Sequence, residues 1–412
     1  MNARSSALAF LSQETPKGAT GRRQATEATL ARLLPVLIRY QITRVANITG
    51  LDRVGIPVYL AIRPNSRGLA NSLGKGLEAS DAKVSAIAES IESWHAEHYS
   101  GPARLSRFSE LRAERRVADP ARLPHCRDSE FSPDEVIPWV EAVDLFDGAP
   151  LWVPYEMVHA DATVPRVPGS GCFAFSTNGL ASGNSLAEAA LHGLCELIER
   201  DAIAIWKQGS HYRGKKLRLD LTTVATPSCR SLLERLDAAE LQAVSWDVTS
   251  DLGVPTIVTL IVDRTACADL APYATAFGAG SHPDRSIALL RSLTEAAQSR
   301  LASISGSRDD LTREFYAAAQ SRESLEWFAK IAREPGRRAF AAIPTREYAT
   351  IEEDLRWVLE RLRASGCDRA AMVDLSTEDS PLRVVRMVVP GLEGPSSSPS
   401  YVPGARALAA KT

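Results

Sequence analysis

The chain has no C-x-x-C pair. Its six cysteines, Cys126, Cys172, Cys195, Cys229, Cys267 and Cys367, are scattered over 412 residues. That spacing indicates neither a zinc site nor a disulfide framework. A dominant charge is missing as well: 48 Lys and Arg stand against 50 Asp and Glu, for a formal net charge of −2. Nothing global therefore draws the chain to nucleic acid or to an anionic membrane. Long apolar runs are absent. The segment from Ala7 to Leu11 is too short for a secretory signal, and no later run approaches a membrane span. A soluble cytoplasmic protein with neither nucleic acid nor membrane as partner is expected. A true phosphate-binding P-loop is also lacking. Ser72, Leu73, Gly74, Lys75 and Gly76 imitate one, but Gly68 lies one residue too far upstream and Gly76 stands where a magnesium-binding hydroxyl is required. A Gly-Lys-Gly turn entering a helix can still present N–H groups and an ammonium to an anion, so Lys75 is a candidate beside the ordinary-turn reading.

What is present is ordinary for a globular body: 45% hydrophobic and 24% charged residues. Residues 1–25 are polar and expected to be flexible, residues 26–394 form the folded domain with a variable excursion at about 100–140, and residues 395–412 read as a flexible tail. Apolar periodicity predicts helices over 25–40, 82–97, 184–202, 231–239, 286–301, 325–333 and 351–364. Strands are predicted within 42–64, at 242–248, 254–262, 369–375 and 384–389, with a strand or turn at 274–280. Residues 177–183 read as a Gly/Ser/Asn loop delivering the chain to a helix N-terminus. The sum is a mixed α/β (α+β) domain, with β-sheets flanked by helices.

Three of these helices share an unusual habit. In 184–202, Ala187, Leu191, Leu194, Cys195 and Ile198 form the buried stripe, while Glu188, His192, Glu196 and Glu199 fall on its flank, with Arg200 just beyond. Ser185 and Glu188 have capping-box spacing, so a cap with a solvated acidic face is one reading. In 82–97, Ser85, Glu89 and Glu92 line up beside the stripe. In the helix after Asp284, Arg291, Glu295 and Gln298 do the same. Arg291 and Glu295 read either as an exposed intrahelical ion pair or as a phosphate ligand and a further carboxylate. If the faces converge, five or six carboxylates share one cavity, a costly arrangement unless cations enter it. Magnesium takes few protein carboxylates and fills its shell with phosphate oxygen and water, so this many glutamates implies more than one ion on a triphosphate. Lys75, Arg200 and Arg291 would balance the phosphates. A dinuclear metallohydrolase would bring His and Asp ligands, and only His192 could serve.

The runs S-x-x-x-E-x-x-E at Ser85, Glu89 and Glu92, N-x-x-x-E-x7-E-x-x-E-R at Asn184, Glu188, Glu196, Glu199 and Arg200, and R-x-x-x-E at Arg291 and Glu295 resemble the three ATP-binding signatures of the YcaO family. The resemblance spans residues 25–394. One departure is Ser93, where many members carry Arg. It implies a YcaO fold whose acidic helices bind ATP and Mg2+, with Glu89, Glu92, Glu188, Glu196 and Glu199 toward metal. Lys75, Ser85, Asn184, Glu188, Arg200, Arg291 and Glu295 would face the nucleotide, and Arg200 and Arg291 would act in catalysis. Arg22 and Thr29 sit roughly where the family brings an N-terminal helix to the nucleotide, or are a tail arginine and a helix-start threonine.

Family members O-phosphorylate a peptide backbone amide for attack by a nucleophile. Azoline-forming members typically end in a P-x-P-x-P tail, which GARALAAKT is not. The runs ITRVANITGLDRVGIPVYLAIRPNS and VVPGLEG resemble the branch paired with TfuA-like proteins, which makes thioamides from an external sulfur donor. A precursor peptide or protein would be the substrate, and a homodimer is possible. An azoline-forming cyclodehydratase, another ATP-dependent enzyme such as a kinase or amide ligase, and a non-catalytic nucleotide-binding or leader-binding partner remain alternatives.

Overall fold

The computed structural model describes residues 8–18, 21–167, 169–209, 217–265, 274–308, 310–314, 316, 321–398 and 400–410. In chain order the helices are α1 Thr26–Leu33, α2 Ala79–Glu97, α3 Phe108–Glu114, α4 Leu186–Gln208, α5 Pro227–Ala238, α6 Arg285–Ser305, α7 Arg322–Arg333, α8 Ile351–Ala364 and α9 Ala405–Ala409. The strands are β1 Arg44–Asn47, β2 Val58–Ile62, β3 Asn71–Lys75, β4 Ala103–Arg107, β5 Val136–Asp144, β6 Pro150–Pro154, β7 Leu180–Gly183, β8 Leu219–Asp220, β9 Leu241–Asp247, β10 Thr256–Asp263, β11 Thr275–Ser281, β12 Arg338–Ala339, β13 Ala371–Asp374 and β14 Arg383–Val388. This is the mixed α/β architecture that the periodicity predicts.

Two antiparallel meanders, β1-β2-β3 and β9-β10-β11, each feed a helix, α2 and α6. The third sheet is a mixed-order antiparallel one, β4-β5-β13-β14-β7, with β6 on β5. Successive residues of a strand face opposite sides of its sheet. On β14, Val384 and Val388 enter the core beneath α2, whereas Val385 and Met387 enter the one beneath α4 and α8.

Several segments differ from expectation. Ser72 to Lys75 is not a turn but β3, paired with β2 from Val58↔Lys75 to Ile62↔Asn71. Its glycine lets a helix approach: a Cβ on Gly74 would lie 2.0 Å from the Ala86 nitrogen. The loop read at 177–183 contains β7, a buried strand paired with β14. The excursion at 100–140 holds β4, α3 and the start of β5. The first helix is shorter than predicted, passing at Leu34–Val36 into a 3-10 turn that contains Pro35. Proline has no N–H for the helix ladder, which accounts for the change of winding.

The two terminal segments expected to be flexible are packed where described. Thr15 N–H donates to Glu352 at 2.9 Å, and Lys17 pairs with Asp354. At the other end α9 docks on α4. Arg406 reaches Asp201 at 2.8 Å, and Glu393 accepts from Tyr401, Gly404 and Ala407. These anchors are buried carboxylates, whose cost of burial demands such partners. No helix among the described residues is long and apolar enough to cross a membrane.

Candidate active site

Three strand-to-helix units build the site. β3 runs into α2, β7 into α4 and β11 into α6. Each helix also touches the strand of another unit: α2 packs on β7, α4 on β11 and α6 on β3. The units thereby close into a ring, which turns the three acidic flanks toward one cleft.

Polar contacts cross each seam of the ring. Ser182 Oγ on β7 donates to Glu92 Oε1 on α2 at 2.6 Å. Lys75 Nζ at the end of β3 reaches Glu295 Oε2 on α6 at 2.8 Å. Arg291 Nη2 on α6 donates to His192 Nε2 on α4 at 3.0 Å. The intrahelical Arg291–Glu295 pair therefore does not form among the described residues; each side chain takes a partner from another element.

At the start of α4, Ser185 Oγ accepts from the Glu188 N–H at 3.2 Å, as a cap should. The reciprocal arm goes one residue further back: Glu188 Oε2 accepts from the Asn184 N–H at 3.2 Å. The other Glu188 oxygen faces Arg22 Nη1 at 3.9 Å. From α1, Thr29 Oγ1 lies 3.1 Å from Asn184 Oδ1, which also accepts from Arg32. Ser85 is half-buried on α2. Ser93 turns back on its own helix, its Oγ donating to the Glu89 carbonyl at 3.0 Å.

The carboxylates feel one another. Loss of hydration pushes Glu89 up to about 8, and Glu92 adds to the rise. The Glu89 side chain reaches water, yet protein crowds around it on the scale over which a charge is felt, as for a carboxyl in a concave wall. Burial raises Glu92 and Glu196, the latter also through Glu92. Glu199 is pushed up to about 7 by burial and by Glu295 and Glu196, against the pull of Arg200, whose Nη1 is 3.0 Å away. Glu295 goes the other way. Burial pushes it up, but Lys75, Arg200 and Arg291 outweigh that and hold it below its ordinary range. Glutamates of all three helices thus form one electrostatic unit.

That unit fits magnesium and a polyphosphate. The carboxylates of Glu89 and Glu196 make no hydrogen bond among the described residues, and Arg291 Nε is buried without a partner. Divalent cations would hold the carboxyls ionised, and phosphate oxygens suit the guanidinium. No three His, Cys, Asp or Glu side chains among the described residues form a self-contained metal cage. A cation here would complete its shell with phosphate and water, as magnesium does. Reasoning from sequence missed Ser182 and Arg32. Neither lies in a helix motif, and Ser182 acts through the cross-strand neighbourhood of β7, which leaves no periodic trace.

A cleft of acidic helices and unpaired guanidinium atoms, without a P-loop, defines an ATP-binding protein of a distinct class. The family model for YcaO cyclodehydratase, ATP- and Mg2+-binding, matches residues 73–393; the chain belongs to the YcaO family, and its cofactors are ATP and Mg2+. Among its relatives is an uncharacterized protein in the tfuA 3′ region of Rhizobium leguminosarum bv. trifolii, 36% identical over 391 residues, which cover 92% of this chain and 90% of that protein. Among solved structures, a heterocyclase in complex with substrate and cofactor aligns with a TM-score of 0.74 at 21% identity, over 92% of this chain and 54% of that one. The chain thus spans about half of that heterocyclase. YcaO from Methanopyrus kandleri, bound with AMPPCP and Mg2+, aligns with a TM-score of 0.70 at 24% identity, over 90% of this chain and 92% of that one.

Proposed function

We propose that this chain uses ATP and Mg2+ to phosphorylate the oxygen of a peptide backbone amide so that sulfur can replace it, giving a thioamide in a ribosomally made peptide or protein. The observation that carries the reading is the closed ring of three acidic helices, with Lys75, Arg200 and Arg291 set among the glutamates. Similarity to a protein in a tfuA 3′ region supports the thioamide branch.

An amide oxygen is a poor leaving group. Transfer of the γ-phosphoryl to it releases ADP, sulfide then adds at the carbon, and the C–O bond breaks with departure of phosphate. Such chemistry asks mainly for positioning and charge stabilisation, so no nucleophilic triad is needed. In this reading Glu89, Glu92, Glu188, Glu196 and Glu199 hold metal. Ser85, Asn184, Glu188 and Glu295 orient the nucleotide with Lys75, while Arg200 and Arg291 meet the charge that develops on the phosphates. Magnesium, when bound, screens the phosphates from the carboxylates around them. A precursor peptide, a TfuA-like partner and a sulfur donor complete the system, and a homodimer is compatible with it.

The test is to combine the protein, a TfuA-like protein, a candidate precursor peptide, Mg–ATP and sulfide, and to weigh the peptide. Exchange of one oxygen for one sulfur, with phosphate release, is the expected product. Loss of one water instead would overturn the thioamide reading in favour of an azoline, and ATP turnover with the peptide unchanged would point to a kinase or ligase acting elsewhere.

A further inference from the structure

One side chain in the cleft is left without a task by this chemistry. His192 lies one helical turn from Glu188 and one from Glu196 on α4, and its Nε2 is 3.0 Å from Arg291 Nη2. A guanidinium carries no acceptor, so Nε2 must offer its lone pair and the ring proton must sit on Nδ1. The Ser182 backbone lies beside the ring and favours its charged form. Ser182 also holds Glu92 through its hydroxyl, at 2.6 Å. Side-chain contacts thus link α2 to β7 through Ser182, and α4 to α6 through His192. Burial, and then Arg291, Arg22 and Lys75, hold the imidazole well below its ordinary pKa, so it is neutral.

Arg291 has no carboxylate ion pair among the described residues, although Glu199 and Glu295 both feel its charge. Its direction is therefore set by an uncharged acceptor. Had a carboxylate taken that place, the pair would be oriented but neutralised, and little charge would be left for a phosphate.

We infer that His192 is a positioning residue, an uncharged acceptor that aims Arg291 at the nucleotide phosphates without cancelling its charge. This rests on the reading that Mg–nucleotide occupies the cleft. Without the imidazole, Nη2 would lose its partner and the guanidinium could swing to Glu199 or Glu295.

Calorimetric binding of AMPPCP with Mg2+ to the full chain tests the inference, using His192→Gln and His192→Leu. Glutamine can accept from Arg291 through its amide oxygen, so it should bind near wild-type strength. Leucine should bind ~10–100-fold more weakly, the usual cost of removing an orienting partner. Leucine binding like wild type, or glutamine as weak as leucine, would overturn the role. Since glutamine cannot act as a base, its retained turnover would also exclude proton abstraction by His192. Should the leucine variant fail to fold, nitrogen NMR of the wild-type ring still decides: a proton on Nε2 sinks the proposal. Absence of binding by the wild type is a different result, which removes the nucleotide reading itself.

Discussion

Glu89 and Glu199 show what the acidic cleft costs the protein when its cations are absent. Their carboxyls are held at about 8 and about 7 in the folded chain, against an ordinary glutamate value of 4.5. Between those values the native state binds more protons than the unfolded chain, so stability falls as pH rises. Their contribution is fully present below about pH 4.5 and is lost as pH rises through about 8. Scanning calorimetry without Mg2+ and nucleotide should accordingly show a melting temperature that declines from about pH 5 to about pH 8 and levels off above that. Glu89→Gln, which cannot ionise, should flatten the decline. A slope unchanged in that variant would mean that Glu89 is not the titrating group. Binding of Mg–AMPPCP at neutral pH should release protons, read from the dependence of the calorimetric heat on buffer ionisation. Glu199→Gln should lower that release and weaken binding by ~10–100-fold.

Helical periodicity exposed the acidic flanks, because residues three and four apart share a face whatever the helix packs against. The strands beneath those helices were harder to read. Two glycines in a short run are a turn signal in sequence, yet at β3 a glycine serves close packing by α2, and β11 repeats the device under α6. A Cβ on Gly278 would lie 2.2 Å from the Ala296 nitrogen and 2.3 Å from the Ser292 carbonyl. Both are helix backbone and cannot move aside as a side chain can. Gly278→Ala should therefore cost ~1–3 kcal/mol or more in chemical denaturation, the range for overpacking. It should also weaken Mg–AMPPCP binding, since α6 carries Arg291 and Glu295. A fully stable variant with normal binding would contradict the account of this seam.

Across the whole molecule, the C-terminal segment proved to be part of the fold. Asp201 is fully buried and is held by Arg406 from α9 and by the Glu393 N–H. Arg406→Ala should destabilise the chain by on the order of 3 kcal/mol, as expected when a buried carboxylate loses its cation. Because α9 docks on the side of α4 that holds Asp201, Mg–AMPPCP affinity of the folded variant should be unchanged. Weaker binding in that variant would show that α9 bears on the cleft. A Pro/Ser/Ala-rich composition suggested mobility because it offers little to a core, and it is the isolated arginine and the small Ala407 that make the docking.

The amino-acid sequence by itself determined the acidic faces, the mixed α/β class and the family signatures, since all three follow from spacing along the chain. Only the tertiary structure decided the pairings: Lys75 with Glu295, Ser182 with Glu92, His192 with Arg291. Helix geometry settles which residues share a face, but a partner on another element is chosen by how strands and helices close around the cleft.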